Sequence, residues 1–165
     1  MKNIKKIVTS LLAMSMIFTF VACGNKVGEI DEDDFMDALE EYLDWEEDED
    51  YFEYEDIDNP ESYKLDCYVY GNSKNIEITY GIFSDEDDAE EYFADRYRGN
   101  PPYGGSSVKH YSEGEYGYYI VNMQDTDFEA RYYYGDMIIE VHASGEDNVA
   151  AVKKLLKSFK LPVKS

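Results

Sequence analysis

The sequence is poor in the residues that bind transition metals. It holds two cysteines and two histidines among 165 residues. Two cysteines cannot build a multi-bridge disulfide framework. Zinc sites draw three or four ligands from the protein, and only Cys67 could join His110 and His142 in the folded part of this chain. Basic residues are scarce too, with 15 Lys and Arg against 37 Asp and Glu, a net charge of −22. Nucleic-acid binding needs Lys and Arg to neutralise phosphates, so that class of partner is excluded. A membrane-spanning helix needs roughly 20 apolar residues. The run Ile7–Ala22 has only sixteen uncharged residues. The chain has no Gly-x-Ser-x-Gly, His-Glu-x-x-His or phosphate loop, and Gly104-Gly105 is not followed by Lys and Ser or Thr.

What the sixteen residues do provide is an export signal. Lys2, Lys5 and Lys6 form a positive head, the apolar run follows, and the small Ala22 precedes Cys23. A secretory signal has this arrangement, with an apolar core of roughly 7–15 residues. Phe20-Val21-Ala22-Cys23 resembles the lipobox of bacterial lipoproteins, with Phe20 where that family usually has Leu. The resemblance implies that residues 1–22 are removed and that Cys23 carries a lipid. It places the protein on the extracytoplasmic face of the cell membrane. Residues 23–30 then act as a lipidated start and tether, and residues 31–165 form the domain. Seven extended residues, 24–30, reach roughly 25 Å at most. Cys67 is left to behave as a small hydrophobe. The alternatives are a single-pass anchor with Cys23 as an ordinary apolar residue, and a Cys23–Cys67 disulfide in a chain left uncleaved or cleaved elsewhere.

Without residues 1–22 the chain has 143 residues, one domain's worth, with 12 basic and 37 acidic residues and a net charge of −25. Acid is concentrated: 17 of the 28 residues from Asp31 to Asp58 are Asp or Glu, and none is Lys or Arg. Such a field bears on solubility and partners, not on fold. It points to a cationic protein or peptide as partner and repels the domain from an anionic bilayer.

Hydrophobic periodicity predicts the elements. Phe35, Ala38, Leu39, Tyr42 and Leu43 recur at helical spacing, so a helix is expected from Asp33 to Asp44. The acidic segment 44–60 is too charged for a regular element, although Trp45, Tyr51, Phe52 and Tyr54 suggest that part of it packs on the domain. After Asn59-Pro60 the period changes to two. YKLDCYVY and the run Ile76–Ile82 read as a hairpin with its turn at Gly71-Asn72-Ser73. Ser84 reads as the cap of a second helix with Ala89, Tyr92, Phe93, Arg96 and Tyr97 on its inner stripe. Four strands follow, SVKHYSE, EYGYYIVNM, DFEARYYY and MIIEVHA, the last two joined by a hairpin at Gly135-Asp136. A third helix opens at Ser144 and buries Val149, Val152, Leu155, Leu156 and Phe159. The expected fold is α+β, an antiparallel sheet of about six strands with three helices packed on it, in the order α-ββ-α-ββββ-α.

This order from Tyr63 onward, closing in AAVKKLLKSFKL, resembles the PsbP-like class of antiparallel αβα sandwiches. That class implies a binding or assembly factor and brings no catalytic residues. Candidate sites are few. His142 shares a strand face with Glu140. Asp125, Asp127 and Glu129 are spaced like the start of a calcium loop, but Ala130 stands where such a loop needs Gly. No metal or other cofactor is expected. Among 17 tyrosines, Tyr116, Tyr118 and Tyr119 are the candidates for a ligand platform, with strand alternation opposing the first two to the third. The leading reading is a non-enzymatic binding or accessory lipoprotein for a cationic partner. The alternatives are an inhibitor of a cationic exported hydrolase, an acidic spacer, and a cell-wall or sugar enzyme using paired carboxylates.

Overall fold

The computed structural model describes residues 30–57, 64–98, 107–113, 115–123 and 126–164. The signal segment, Cys23, most of the tether, Asn59-Pro60, Tyr63 and Asp125 lie outside the described residues, as do the side chains of Arg96, Tyr97 and His110.

The first helix, α1, spans Glu32–Leu43. The side chain of Asp31 accepts from the amide of Asp33 at 3.0 Å, and Glu32, Asp33 and Asp34 fill the first turn. Carboxylates there satisfy orphan N–H groups and complement the helix dipole. Phe35, Ala38, Leu39 and Leu43 are its buried stripe.

Seven strands follow: β1 Tyr51–Ile57, β2 Leu65–Ser73, β3 Ile76–Phe83, β4 Ser107–Glu113, β5 Tyr116–Met123, β6 Asp127–Tyr134 and β7 Met137–Ser144. Helix α2, Glu86–Arg98, separates β3 from β4, and α3, Glu146–Ser158, follows β7. The sheet is antiparallel throughout, in the order β1-β2-β3-β7-β6-β5-β4. Two meanders therefore meet along β3 and β7. The fold class is the expected α+β antiparallel sheet with three helices; among the described residues the sheet has seven strands where about six were expected, in the order α-βββ-α-ββββ-α. The addition is β1, built from the acidic segment. An edge strand keeps its charges in water while β2 supplies the ladder, so charge density does not forbid it.

Strand alternation divides the interior into two layers. On one face Val69, Ile78, Tyr80, Ile120, Phe128, Tyr132 and Ile139 meet α1 and α3. On the other, Tyr119, Val121, Tyr133 and Ile138 meet Ala89 and Phe93 of α2. The fully buried Phe35 stacks on Tyr80 at 4.7 Å and on Phe159 at 5.9 Å, tying α1 to the sheet and to the end of α3. Truncating such a residue costs about 3–5 kcal/mol.

Three local expectations are corrected. The β2–β3 turn is Lys74-Asn75, both at positive φ (54° and 64°), with Ser73 opposite Ile76. Gly71 lies inside β2, where it makes room for Trp45 rather than a turn. The cap of α2 is Asp85, which accepts from the Asp87 amide at 2.9 Å, while Ser84 donates to Asp66. Helix α3 begins at Glu146 instead of Ser144, after Gly145 at φ 97°. Asn148 secures that start by donating to the carbonyls of Ser144 and Lys74.

Candidate functional site

Among the described residues, each end of the sheet carries a group of aromatic side chains, the two groups on opposite faces. At the β4–β5 end, the register sets Tyr111 opposite Tyr118 and Tyr116 opposite Tyr134. Tyr111 stacks on Tyr118 at 5.6 Å, and the Lys109 ammonium sits 5.3 Å from the Tyr118 ring. Tyr116 lies 6.0 Å from Tyr111 and 6.5 Å from Tyr134. Burial pushes the Tyr116 hydroxyl well above its ordinary pKa, because a phenolate is poorly solvated there.

This places the three tyrosines singled out from the sequence. Tyr116 and Tyr118 share the α1/α3 face, half-buried and buried respectively, while Tyr119 belongs to the core under α2. They do not form one surface. The accessible member of the cluster is Tyr111, 40% exposed, its hydroxyl donating to Glu113, and that bond raises its pKa. The sequence signal for Tyr111 was its position opposite Tyr118 across the β4–β5 turn.

At the β1–β2 end, on the α2 face, Phe52 is opposite Tyr70 and Tyr54 opposite Tyr68. Phe52 and Tyr54 are 41% and 48% exposed, whereas Tyr68 and Tyr70 are half-buried. The Tyr54 and Tyr68 rings are 6.2 Å apart, and the Tyr70 hydroxyl accepts from Asn72. Among the described residues, Phe52, Tyr54 and Tyr111 are the large hydrophobic side chains most open to water. In the sequence Phe52 and Tyr54 stand out as aromatic residues in an acidic segment that carries no strand signal to place them. The acidic turn 46–50 precedes this patch. Within it, hydrogen bonds from Ser73 and the Glu46 amide hold the exposed Asp50 carboxyl below the ordinary range, with Lys74 adding to the effect.

The α2 face of the sheet also carries a charged row. Arg131 bridges Glu129 at 2.7 Å and Glu140 at 3.2 Å, and Tyr92 donates to Glu140. His142 lies 2.9 Å from Asp127. The pairing of His142 with Glu140 and the Asp127–Glu129 spacing are thus resolved into separate side-chain pairs. Among the described residues no group of three or more His, Cys, Asp or Glu is arranged to hold a metal ion. Cys67 is a buried thiol in β2. No described helix is long and apolar enough to cross a membrane.

No family model, no curated protein and no solved structure matches this chain.

Proposed function

We propose that this chain is an exported lipoprotein, held by a lipid on Cys23 to the outer face of a bacterial cell membrane. There it serves as a binding or accessory protein for a cationic protein or peptide. The carrying observation is the net charge of −25 on residues 23–165, with 17 acids between Asp31 and Asp58. The fold supports the reading by building that acid into α1, the turn after it and strand β1. Charge on a fixed scaffold makes a directional field that steers an oppositely charged partner and raises its encounter rate. The short tether keeps that field near the membrane surface, and repulsion from anionic lipid holds the domain away from it.

The test is binding of the purified full chain to a fluorescent decalysine peptide as salt is raised. Affinity should fall about tenfold between roughly 50 and 200 mM salt, since exposed charge pairs are screened over a Debye length. Pull-down from a detergent extract should recover basic proteins. No measurable affinity at low salt, or affinity indifferent to salt with no basic protein recovered, overturns the reading.

A further inference from the structure

We propose that the aromatic face of strands β1 and β2 is the contact surface of this protein, and that its occupant is an arginine-rich segment of the cationic partner whose guanidinium groups stack on Phe52 and Tyr54. The proposal rests on the cationic-partner reading and gives it a place and a residue type.

Strand alternation sets the surface. Tyr51 and Val69 enter the core beneath α1, so Phe52, Tyr54, Tyr68 and Tyr70 fall on the opposite face. The register pairs them across the two strands, Phe52 with Tyr70 and Tyr54 with Tyr68. Helix α2 packs on that face over β3, β6 and β7. On β1, Phe52 and Tyr54 are exposed side by side. Scattered single apolar side chains on a surface are ordinary, whereas adjoining ones mark an interaction site. The aromatic group at the other end of the sheet is closed by comparison, because Tyr111 stacks on Tyr118 and is bonded to Glu113.

Charge selects the occupant. Phe52 and Tyr54 belong to the segment 31–58, with its 17 acids and no Lys or Arg. Across the same face, Tyr70 is opposite Thr79, and in the next row the exposed Glu77 is opposite Asn72. The negative face of an aromatic ring attracts a cation. This chain uses that pairing elsewhere: the Lys109 ammonium sits 5.3 Å from the Tyr118 ring, and that of Lys153 sits 4.9 Å from the Phe128 ring. Arginine suits the surface better than lysine. Its guanidinium is planar and weakly hydrated, so it stacks on a ring while its N–H fork reaches a carboxylate. An uncharged sugar could lie on the same rings but would draw no attraction from the net charge.

The experiment uses the full chain in detergent, with fluorescent decaarginine and decalysine as probes. At about 200 mM salt, where charge alone is screened, decaarginine should bind about threefold or more tightly than decalysine. A Phe52→Leu, Tyr54→Leu double variant keeps apolar side chains on the strand but removes the rings. It should weaken decaarginine about tenfold and decalysine only about twofold. Glu77→Gln should weaken decaarginine about twofold. Ring resonances need no variant to fold: decaarginine should shift those of Phe52 and Tyr54 and leave that of Tyr111 in place. Equal affinity for the two peptides, falling with salt and unchanged in the double variant, overturns the aromatic-face proposal and leaves the cationic-partner reading standing. Failure of both peptides to bind at low salt removes both. A hexasaccharide of N-acetylglucosamine that shifts the Phe52 and Tyr54 rings, where decaarginine does not, would make a sugar the occupant and overturn the proposal.

Discussion

Trp45 lies across the α-carbon of Gly71, so close that a Cβ there would sit 2.3 Å from its ring atom Cζ3. Trp45 is 1% exposed and Gly71 is opposite Tyr51 in the β1–β2 ladder. This contact fastens the segment between α1 and β1 to the sheet, and with it the start of the acidic edge strand. Gly71→Ala should lower stability by about 1–3 kcal/mol through overpacking, and Trp45→Ala by about 3–5 kcal/mol through cavity formation. The two should not add. In the Trp45→Ala background the cost of Gly71→Ala should shrink by about 1 kcal/mol or more. Urea midpoints of the four proteins measure the coupling, and strict additivity would show that the ring does not restrict Gly71.

Alkaline pH should unfold the domain. Burial first, then the nearby Glu40 and Glu47 carboxylates, push the Tyr51 hydroxyl from 10.0 up to about 12. That hydroxyl donates to Glu40 at 3.4 Å. A raised folded-state pKa on an acid means that the neutral form is favoured by folding. Its stabilisation is whole below about pH 10 and is lost as pH rises through about 12. Tyr80, Tyr116 and Tyr132 shift in the same direction, each chiefly by burial. Urea midpoints should decline above about pH 10, with tyrosinate absorbance appearing together with unfolding. Tyr51→Phe should make the decline shallower. A midpoint that stays level to pH 12 would contradict this account.

Two residues past the end of α3, after the C-cap Phe159, Lys160 stands at φ 62°, a conformation that suits glycine. The Leu161 amide donates to the Leu156 carbonyl at 3.0 Å and the Lys160 amide to Lys157 at 2.9 Å, closing the helix end. These two bonds define a left-handed C-terminal cap. Lys160→Gly should raise stability by about 0.5–1 kcal/mol. Thermal melts at matched ionic strength check it, and a lowered melting temperature would show that the lysine contributes more than its backbone strain costs.

Cys23→Ser should abolish labelling by a fatty-acid analogue and release the protein from the membrane fraction. Retention without label would show that the N-terminal run itself holds the protein in the membrane. The urea midpoint of the Cys23→Ser protein, measured in detergent beside the parent, separates loss of the anchor from loss of the fold: an unchanged midpoint is expected.

The helices and most strands were legible because their signals are local. Phe35, Ala38, Leu39 and Leu43 recur at helical spacing whatever they pack against, and Ile76, Ile78 and Tyr80 alternate whatever lies beside them. The short uncharged run behind three lysines, ending in Val-Ala-Cys, is likewise a local pattern, and it carries the proposal of export and lipidation. Other features depend on partners distant in sequence. Tyr51–Ile57 reads as acid-rich coil until β2 supplies its ladder and Glu40 meets the Tyr51 hydroxyl. Gly71 reads as a turn until Trp45, 26 positions earlier, occupies the space a side chain would need. The tyrosines of β5 look alike in sequence, and only the placement of helices on two faces decides which are core. Periodicity belongs to one segment, whereas exposure and edge position belong to the assembled sheet. The acidic content of this protein was therefore set by its sequence alone, and its presentation along a sheet edge beside Phe52 and Tyr54 was decided by tertiary packing.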